Sequence, residues 1–195
     1  MGRRARSSPP ESSKLIGAVE AARPVQVVAI DIPIGLPDTS VRRADLLARA
    51  RVGPRWPSVF LTPTRAALLA GSHAEASAIN RGRSGAGISA QAYGLRTKLL
   101  EVDRWITTTT RRVVEVHPEV SFAALAGAPL TVSKRSSAGI TLADELGPAG
   151  HAGIDDILDA AVAAWTARRV ARTEAHPMPD PPEVLSDGIS CAIWT

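Results

Sequence analysis

The segment VVAIDIPIGLP, residues 27–37, joins an apolar strand to an acidic residue and a tight loop. The four residues from Val27 to Ile30 are all apolar, which predicts a strand buried on both faces, at about residues 25–31. Asp31 ends the apolar run, and the prolines and glycine that follow stop the strand. Burial disfavours a charged carboxylate, so Asp31 needs a partner. The segment therefore predicts a metal ion, a basic side chain or a helix N-terminus beside Asp31.

Predicted helices lie on both sides of this strand. A second predicted apolar strand likewise ends in polar residues followed by a proline, since Glu115 and His117 lie at its end. The predicted helices span residues 13–23, 41–51, 64–70, 72–81, 88–106, 120–126, 140–146 and 154–174. Further strands are predicted at 112–118 and 188–194, with loops or linkers at 82–87, 131–139 and 176–182. Helices that alternate with buried strands predict an α/β fold.

The composition is typical of one ordinary domain. The 195 residues are enough to bury a sizeable core, and 45% of them are hydrophobic. No apolar run approaches the roughly 18 residues of a membrane span, and the N-terminal arginines are not followed by the apolar part of a secretory signal. The single cysteine, Cys191, excludes an internal disulfide and a cysteine-based zinc site. We expect a cytoplasmic protein with a disordered basic tail at 1–12 and one domain at 13–195.

The net charge of +4 does not by itself indicate nucleic-acid binding. Three of the 23 basic residues lie at positions 3, 4 and 6, and the others nearly balance the 19 acidic residues. A surface that binds phosphates would therefore have to be local.

Acidic residues recur where predicted strands end and where one predicted helix begins. Asp31 and Glu115 lie at strand ends, and Asp155, Asp156 and Asp159 lie in the first turns of the helix that starts at about residue 154. Carboxylates from two strand ends and one helix could converge on Mg²⁺, which prefers oxygen ligands. A pair of such ions would stabilise the attacking and leaving oxygens in phosphodiester hydrolysis.

Each of these residues also has a purely structural interpretation. Acids in a first helical turn stabilise the helix dipole, Asp31 could accept hydrogen bonds from the following turn, and Glu115 could pair with an arginine. Their combination favours a site. His117 is interpreted as structural, and Arg65 and Lys134 are candidates for phosphate contacts, although single basic residues are more often surface charges.

Six motifs in sequence order resemble the DUF429 family, which comprises predicted nucleases with an RNase H-like fold. They are AIDIPIGLP (29–37), ADLLARARVGPRWPSVFLTPTR (44–65), GISAQAYGLRTKLLEVD (87–103), EVHPEVSFAALAG (115–127), SKR with a following glycine (133–139) and DDILDA (155–160). The resemblance covers about residues 15–194. It implies an α/β fold with an RNase H-like mixed sheet flanked by helices, and we interpret residues 41–106 as a helical insertion.

The resemblance also implies a metal-dependent nuclease that binds Mg²⁺ or Mn²⁺ through carboxylates and acts on nucleic acid. Asp31 corresponds to the acid on the fourth strand of such folds, and Asp156 and Asp159 resemble the D-x-x-D-A of RuvC-like terminal helices. The expected catalytic residues are Asp31, Glu115, Asp156 and Asp159, of which Asp31, Asp156 and Asp159 would bind metal, while Arg65 and Lys134 would contact substrate.

The sequence departs from this pattern at its start. RNase H-like folds begin with a three-stranded antiparallel meander whose first strand carries another catalytic Asp, and no such strands precede the first predicted helix here. We therefore expect a truncated sheet with an exposed edge that could promote self-association. Two alternatives stay open: a non-catalytic protein that keeps the fold, and an actin-like phosphotransferase, for which Ile34-Gly35 is the only trace of a phosphate loop.

Overall fold

A computed structural model describes residues 11–129 and 153–195. Its four-stranded mixed sheet flanked by helices confirms the predicted α/β class. The strands are β1 (Val28–Ile30), β2 (Val113–Glu115), β3 (Pro177–Val184) and β4 (Ser190–Trp194). The helices of the described part are α1 (Glu11–Ala21), α2 (Arg43–Val52), α3 (Arg65–Leu68), α4 (His73–Ser84), α5 (Ala90–Gly94), α6 (Arg96–Ile106), α7 (Pro118–Ala126) and α8 (Ile154–Ala171), with a 3-10 helix at Gly53–Ser58.

The strand order in the sheet is β1-β2-β4-β3. Strands β1 and β2 are parallel, with Ile30 opposite Glu115, and β4 runs parallel to β2 with Ile193 opposite the same glutamate. Strand β3 is antiparallel to β4 at one edge. At the other edge, no strand among residues 11–129 and 153–195 pairs with the outer side of β1. Because β1 and β2 are parallel neighbours, the residues that follow them meet at one edge of the sheet.

Strand β1 is covered on both faces, as its apolar sequence predicts. Val28 and Ile30 pack towards α6, where they meet Trp105. Ala29 lies on the opposite face and packs towards α8, near Val170. This alternation is the two-residue period of a strand between two layers of helices. Within the described residues, no helix is both long and apolar enough to cross a membrane.

The predicted proline-rich linker at 176–182 is wrong, because these residues belong mainly to strand β3. Its ladder with β4 is irregular between Met178 and Glu183, and the peptide bonds before Pro179 and Pro181 are cis. Prolines cannot donate ladder hydrogen bonds, so they are tolerated at an edge strand that pairs on one side only. Proline content alone therefore did not distinguish a linker from an edge strand.

The predicted linker at 82–87 is wrong for its first residues, because α4 continues to Ser84. Gly85 ends the helix with a φ of +77°, a conformation that glycine adopts without strain. Asn80 then fixes the chain, since its Nδ2 donates to the carbonyl of Ala86 at 2.9 Å and its Oδ1 accepts from the backbone of Thr64 at 2.8 Å.

Other helix boundaries in the structure differ by a few residues from the predicted ones. The first helix starts at Glu11, inside the predicted tail, and the predicted helix 88–106 is divided into α5 and α6 at Leu95. The remainder of the tail, the predicted loop at 131–139 and the predicted helix at 140–146 lie outside the described residues.

Candidate acidic site at the ends of the parallel strands

A cavity of about 280 Å³ lies at the carboxyl ends of β1 and β2. Open α/β sheets commonly bind their ligands in this position, where loops leave the parallel strands. The cavity wall includes Asp31 after β1, His117 and Glu119 after β2, and Asp159 of α8. Topology therefore brings together acidic residues that are far apart in the sequence.

Two of the predicted metal ligands, Asp31 and Asp159, line this cavity. Asp31 is exposed and Asp159 is half-buried. The expectation that Asp31 is a desolvated carboxylate was therefore wrong, because this residue is exposed although the strand before it is covered on both faces. Asp156 lies on the same helix as Asp159, but it is exposed and is not part of the cavity wall.

Glu119 is a buried carboxylate of the cavity that sequence reasoning did not select. Its side chain is 8% exposed. Oε1 accepts a hydrogen bond from Nη2 of Arg55 at 2.8 Å, whereas Oε2 is buried without a hydrogen-bond partner among the described residues. Leaving a buried polar atom unsatisfied costs roughly 1–3 kcal/mol, and more when the group is charged. The arrangement therefore provides an acceptor for a ligand, a cation or a water proton.

A sequence signal for Glu119 did exist. Pro118 occupies the first position of α7, where its fixed φ suits a helix start and its missing N–H costs nothing. This fixes Glu119 in the first helical turn, next to the end of β2. His117, which sequence reasoning treated as structural, precedes the same helix and also lines the cavity.

Glu115 also lines the cavity, but its carboxylate has a different environment from that of Glu119. Its Oε1 accepts from Nη2 of Arg42 at 2.8 Å. Its Oε2 accepts from Nη1 of Arg42 at 2.9 Å and from the backbone N–H of Ile34 at 2.7 Å. Both carboxylate oxygens are thus occupied by a bidentate ion pair and a backbone donor. Glu115 connects β2 to the loop that follows β1.

Arg42, Asp45 and Glu115 form a buried charge network, which we call the Arg42 network. Arg42 is 1% exposed and also donates to Oδ1 of Asp45 and to the carbonyl of Ile34. Asp45 Oδ2 accepts from the backbone N–H of Thr62 at 2.7 Å. Burial disfavours the charged form of Arg42, but the charges of Asp45 and Glu115 outweigh it and raise the pKa of Arg42. Burial likewise raises the pKa of the Glu115 carboxyl, and the Arg42 charge opposes this shift.

Comparison with protein families adds an assignment. A family model described as "Protein of unknown function (DUF429)" matches residues 11–184. The chain belongs to the DUF429 family. This match confirms the family that the six sequence motifs indicate. Comparisons with curated proteins and with solved structures give no significant match.

The two predicted phosphate contacts of this DUF429 protein lie away from the cavity or outside the described residues. Arg65 forms ion pairs with Asp103 of α6 and, at 2.5 Å, with Asp187 between β3 and β4. Its side chain is half-exposed and is not part of the cavity wall. Lys134 lies outside the described residues. Both substrate contacts remain predictions.

The donor set of the cavity suits a hard cation. Carboxylate oxygens of Asp31, Glu119 and Asp159 are ligands that Mg²⁺ and Mn²⁺ accept, and Mg²⁺ needs only one or two protein carboxylates beside water and substrate phosphate. In residues 11–129 and 153–195, no group of three His, Cys, Asp or Glu side chains is arranged to hold a metal ion by itself. Burial raises the pKa of the Cys191 thiol to about 12, so this DUF429 chain offers no thiolate ligand there at neutral pH.

Proposed function

We propose that this DUF429 protein is a metal-dependent nuclease that hydrolyses phosphodiester bonds at the cavity. The observation that supports the proposal most strongly is the buried Oε2 of Glu119, which has no hydrogen-bond partner in the described part of the chain. Asp31 and Asp159 add two further carboxylates to the same cavity. Carboxylates that share one site repel each other, and a divalent cation relieves this repulsion.

Asp31 and Asp159, together with water and substrate oxygens, would hold Mg²⁺ or Mn²⁺. When bound, the ion would polarise a phosphoryl oxygen and lower the pKa of a bound water. The residues of the chain supply the remaining functions. Oε2 of Glu119 accepts a proton from the attacking water, and His117 in the same wall is the group best suited to carry a proton to the leaving oxygen.

We assign a positioning role to the Arg42 network, whose three residues also line the cavity. Arg42 donates to the carbonyl of Ile34, and Glu115 accepts the N–H of the same residue. The two hydrogen bonds hold both peptide groups of Ile34. They therefore fix the loop that follows β1 at a point three residues after Asp31. In this proposal Glu115 is a positioning residue and not a metal ligand. The RNase H-like relationship implied by the resemblance is part of the proposal.

Cleavage of labelled nucleic acids tests the proposal. Single-stranded, branched and RNA–DNA hybrid substrates should be cleaved with Mn²⁺ or Mg²⁺ and not with a chelator. Asp31→Asn should abolish cleavage, whereas Asp156→Asn, which changes an exposed carboxylate of α8 outside the cavity wall, should retain it. Cleavage that persists in Asp31→Asn would overturn the site assignment.

A thermal shift gives a second measurement that does not depend on choosing a substrate. At ten times the dissociation constant, a cation that binds only the folded protein adds about 1.4 kcal/mol, which corresponds to a rise in Tm of roughly 3–6 °C for a chain of this size. Asp31→Asn should lose this rise. The non-catalytic alternative predicts neither cleavage nor a metal-dependent rise in Tm.

A further inference from the structure

An exposed tryptophan lies beside the cavity, on the segment that connects α2 to it. Trp56 belongs to the 3-10 helix at Gly53–Ser58 and is 52% exposed. Ser58, two residues further on, lines the cavity, and Arg55, one residue before, donates to Glu119 in the cavity wall. A large aromatic ring is thus exposed to solvent one residue after the arginine that pairs with the proposed catalytic Glu119.

The ring of Trp56 is held in place by Arg49. The guanidinium carbon of Arg49 lies 5.2 Å from the ring centroid, and its Nε donates to the carbonyl of Val59 at 2.8 Å. A cation positioned over an indole is attracted by the π-face of the ring. Because the arginine is itself tied to the backbone, Trp56 is presented as a fixed platform and does not pack into the core.

The chain on both sides of Trp56 is basic. Between Asp38 and Glu75 the only acidic residue is Asp45, which is buried in the Arg42 network. Arg49 and Arg51 lie in the last turn of α2, and Arg55 lies in the 3-10 helix that follows it. Arg51 is exposed, and of these three only Arg55 has an ion pair, with Glu119, in the described part of the protein. A basic strip with an aromatic platform therefore borders an acidic cavity.

We propose that this strip, consisting of Arg49, Arg51, Arg55 and Trp56, binds single-stranded nucleic acid. Trp56 stacks on one base and the arginines contact phosphates, which leads the strand towards the cavity. The inference rests on the proposed nuclease function and adds the substrate class. A single strand fits better than a duplex, because bases within a duplex already stack on each other and offer no free face to an indole.

Binding in the presence of EDTA tests this surface without cleavage. A fluorescently labelled oligothymidylate should bind wild type, and Trp56→Ala should weaken binding roughly 5- to 150-fold, the range for loss of one base–aromatic stack. Trp56→Phe should retain most of the affinity because phenylalanine also stacks. Trp165→Ala is the matched control, since the guanidinium carbon of Arg169 lies 4.7 Å from the Trp165 ring centroid, on α8 and outside the cavity wall. It should bind as wild type does.

Two further measurements separate stacking from simple charge attraction. Quenching of tryptophan fluorescence by the oligonucleotide should be reduced in Trp56→Phe and retained in Trp165→Phe. Arg51→Gln should lower the slope of log K against log salt concentration by about 0.7, the value for one phosphate contact on a single strand. Polyglutamate should compete weakly, and to the same extent in wild type and Trp56→Ala.

Several outcomes would overturn the inference. These are equal binding by wild type and Trp56→Ala, tighter binding of a duplex than of the single strand, or polyglutamate competition that depends on Trp56. Cleavage is measured separately with Mn²⁺. Trp56-dependent binding without cleavage would overturn the proposed function and retain this surface, whereas cleavage without Trp56-dependent binding would do the reverse.

Discussion

Glu115 and Glu119 lie four residues apart on either side of the end of β2, yet the two regions around them differ in how many hydrogen-bond donors they offer to the carboxylate. Glu115 is buried in the Arg42 network, where Arg42 and the backbone of Ile34 occupy both of its oxygens. Glu119 is almost as buried, but one of its oxygens has no hydrogen-bond partner in the described residues. Burial is therefore the same in both regions, and unsatisfied hydrogen-bonding capacity is what marks the candidate site.

The charged groups of the two regions also differ in how they affect the stability of the fold. Removing three charges from water costs several kcal/mol per ion, so the Arg42 network is expected to add little net stability over an apolar core. Its effect is positional, since it joins β2, the loop after β1 and the start of α2. The unsatisfied oxygen of Glu119 destabilises the isolated fold slightly, and this cost is recovered only when a ligand binds.

The largest effect is expected when the Arg42 network is broken. Arg42→Met leaves Asp45 and Glu115 as buried charges without their cation, which should lower the free energy of unfolding by about 3–5 kcal/mol. Urea denaturation followed by circular dichroism measures the change. Arg43→Met, at the adjacent exposed position, is the control and should stay within about 0.5 kcal/mol of wild type. Equal losses in the two variants would show that the network has no special role.

A smaller effect, of a different kind, is expected at Glu119. Glu119→Gln keeps the shape of the side chain and an acceptor for Arg55, so stability should change by less than about 1 kcal/mol. Metal-dependent cleavage should fall about 100-fold, or roughly 2.7 kcal/mol of activation free energy, because a proton acceptor is lost. Paired measurements of cleavage and urea stability test this.

Glu115→Gln is expected to affect stability more strongly than Glu119→Gln does. It removes one charge of a buried pair and should lose stability as Arg42→Met does. A stable Glu115→Gln protein together with a fully active Glu119→Gln protein would reverse the roles assigned to the two glutamates.

The smallest effect is expected far from both regions, where α1 meets α6. Glu20 accepts hydrogen bonds from Nε1 of Trp105 at 2.7 Å and from Oγ1 of Thr109 at 3.0 Å, and these bonds lower the pKa of the Glu20 carboxyl. A lowered pKa in the folded state stabilises the protein above the ordinary carboxyl range, and the contribution is lost as the pH falls through that lowered value.

Glu20→Gln tests this contribution. The variant should be slightly less stable than wild type at neutral pH, and the difference should disappear in acid, as measured by urea unfolding over a series of pH values. A difference that does not vary with pH would mean that the Glu20 charge contributes nothing.

Part of this architecture could be predicted because its signals are local. The run from Val27 to Ile30 predicted a strand covered on both faces, and β1 confirms it. Spaced motifs indicated the family, and Asp31 and Asp159 were selected because strand ends and helix starts are visible in a sequence. Strand β3 could not be predicted, because proline excludes a central strand but says nothing about an edge.

The sequence by itself specifies the layers of this protein, the strand that leads to Asp31 and the family, since each depends on residues close together along the chain. It does not specify which glutamate of EVHPE is available for chemistry. Arg42 lies 73 residues from Glu115, and only folding brings its guanidinium within 2.9 Å of that carboxylate. The same folding leaves Oε2 of Glu119 without a hydrogen-bond donor in the described chain. A hydrogen bond is satisfied or not within a few tenths of an ångström, and that distance exists only in three dimensions.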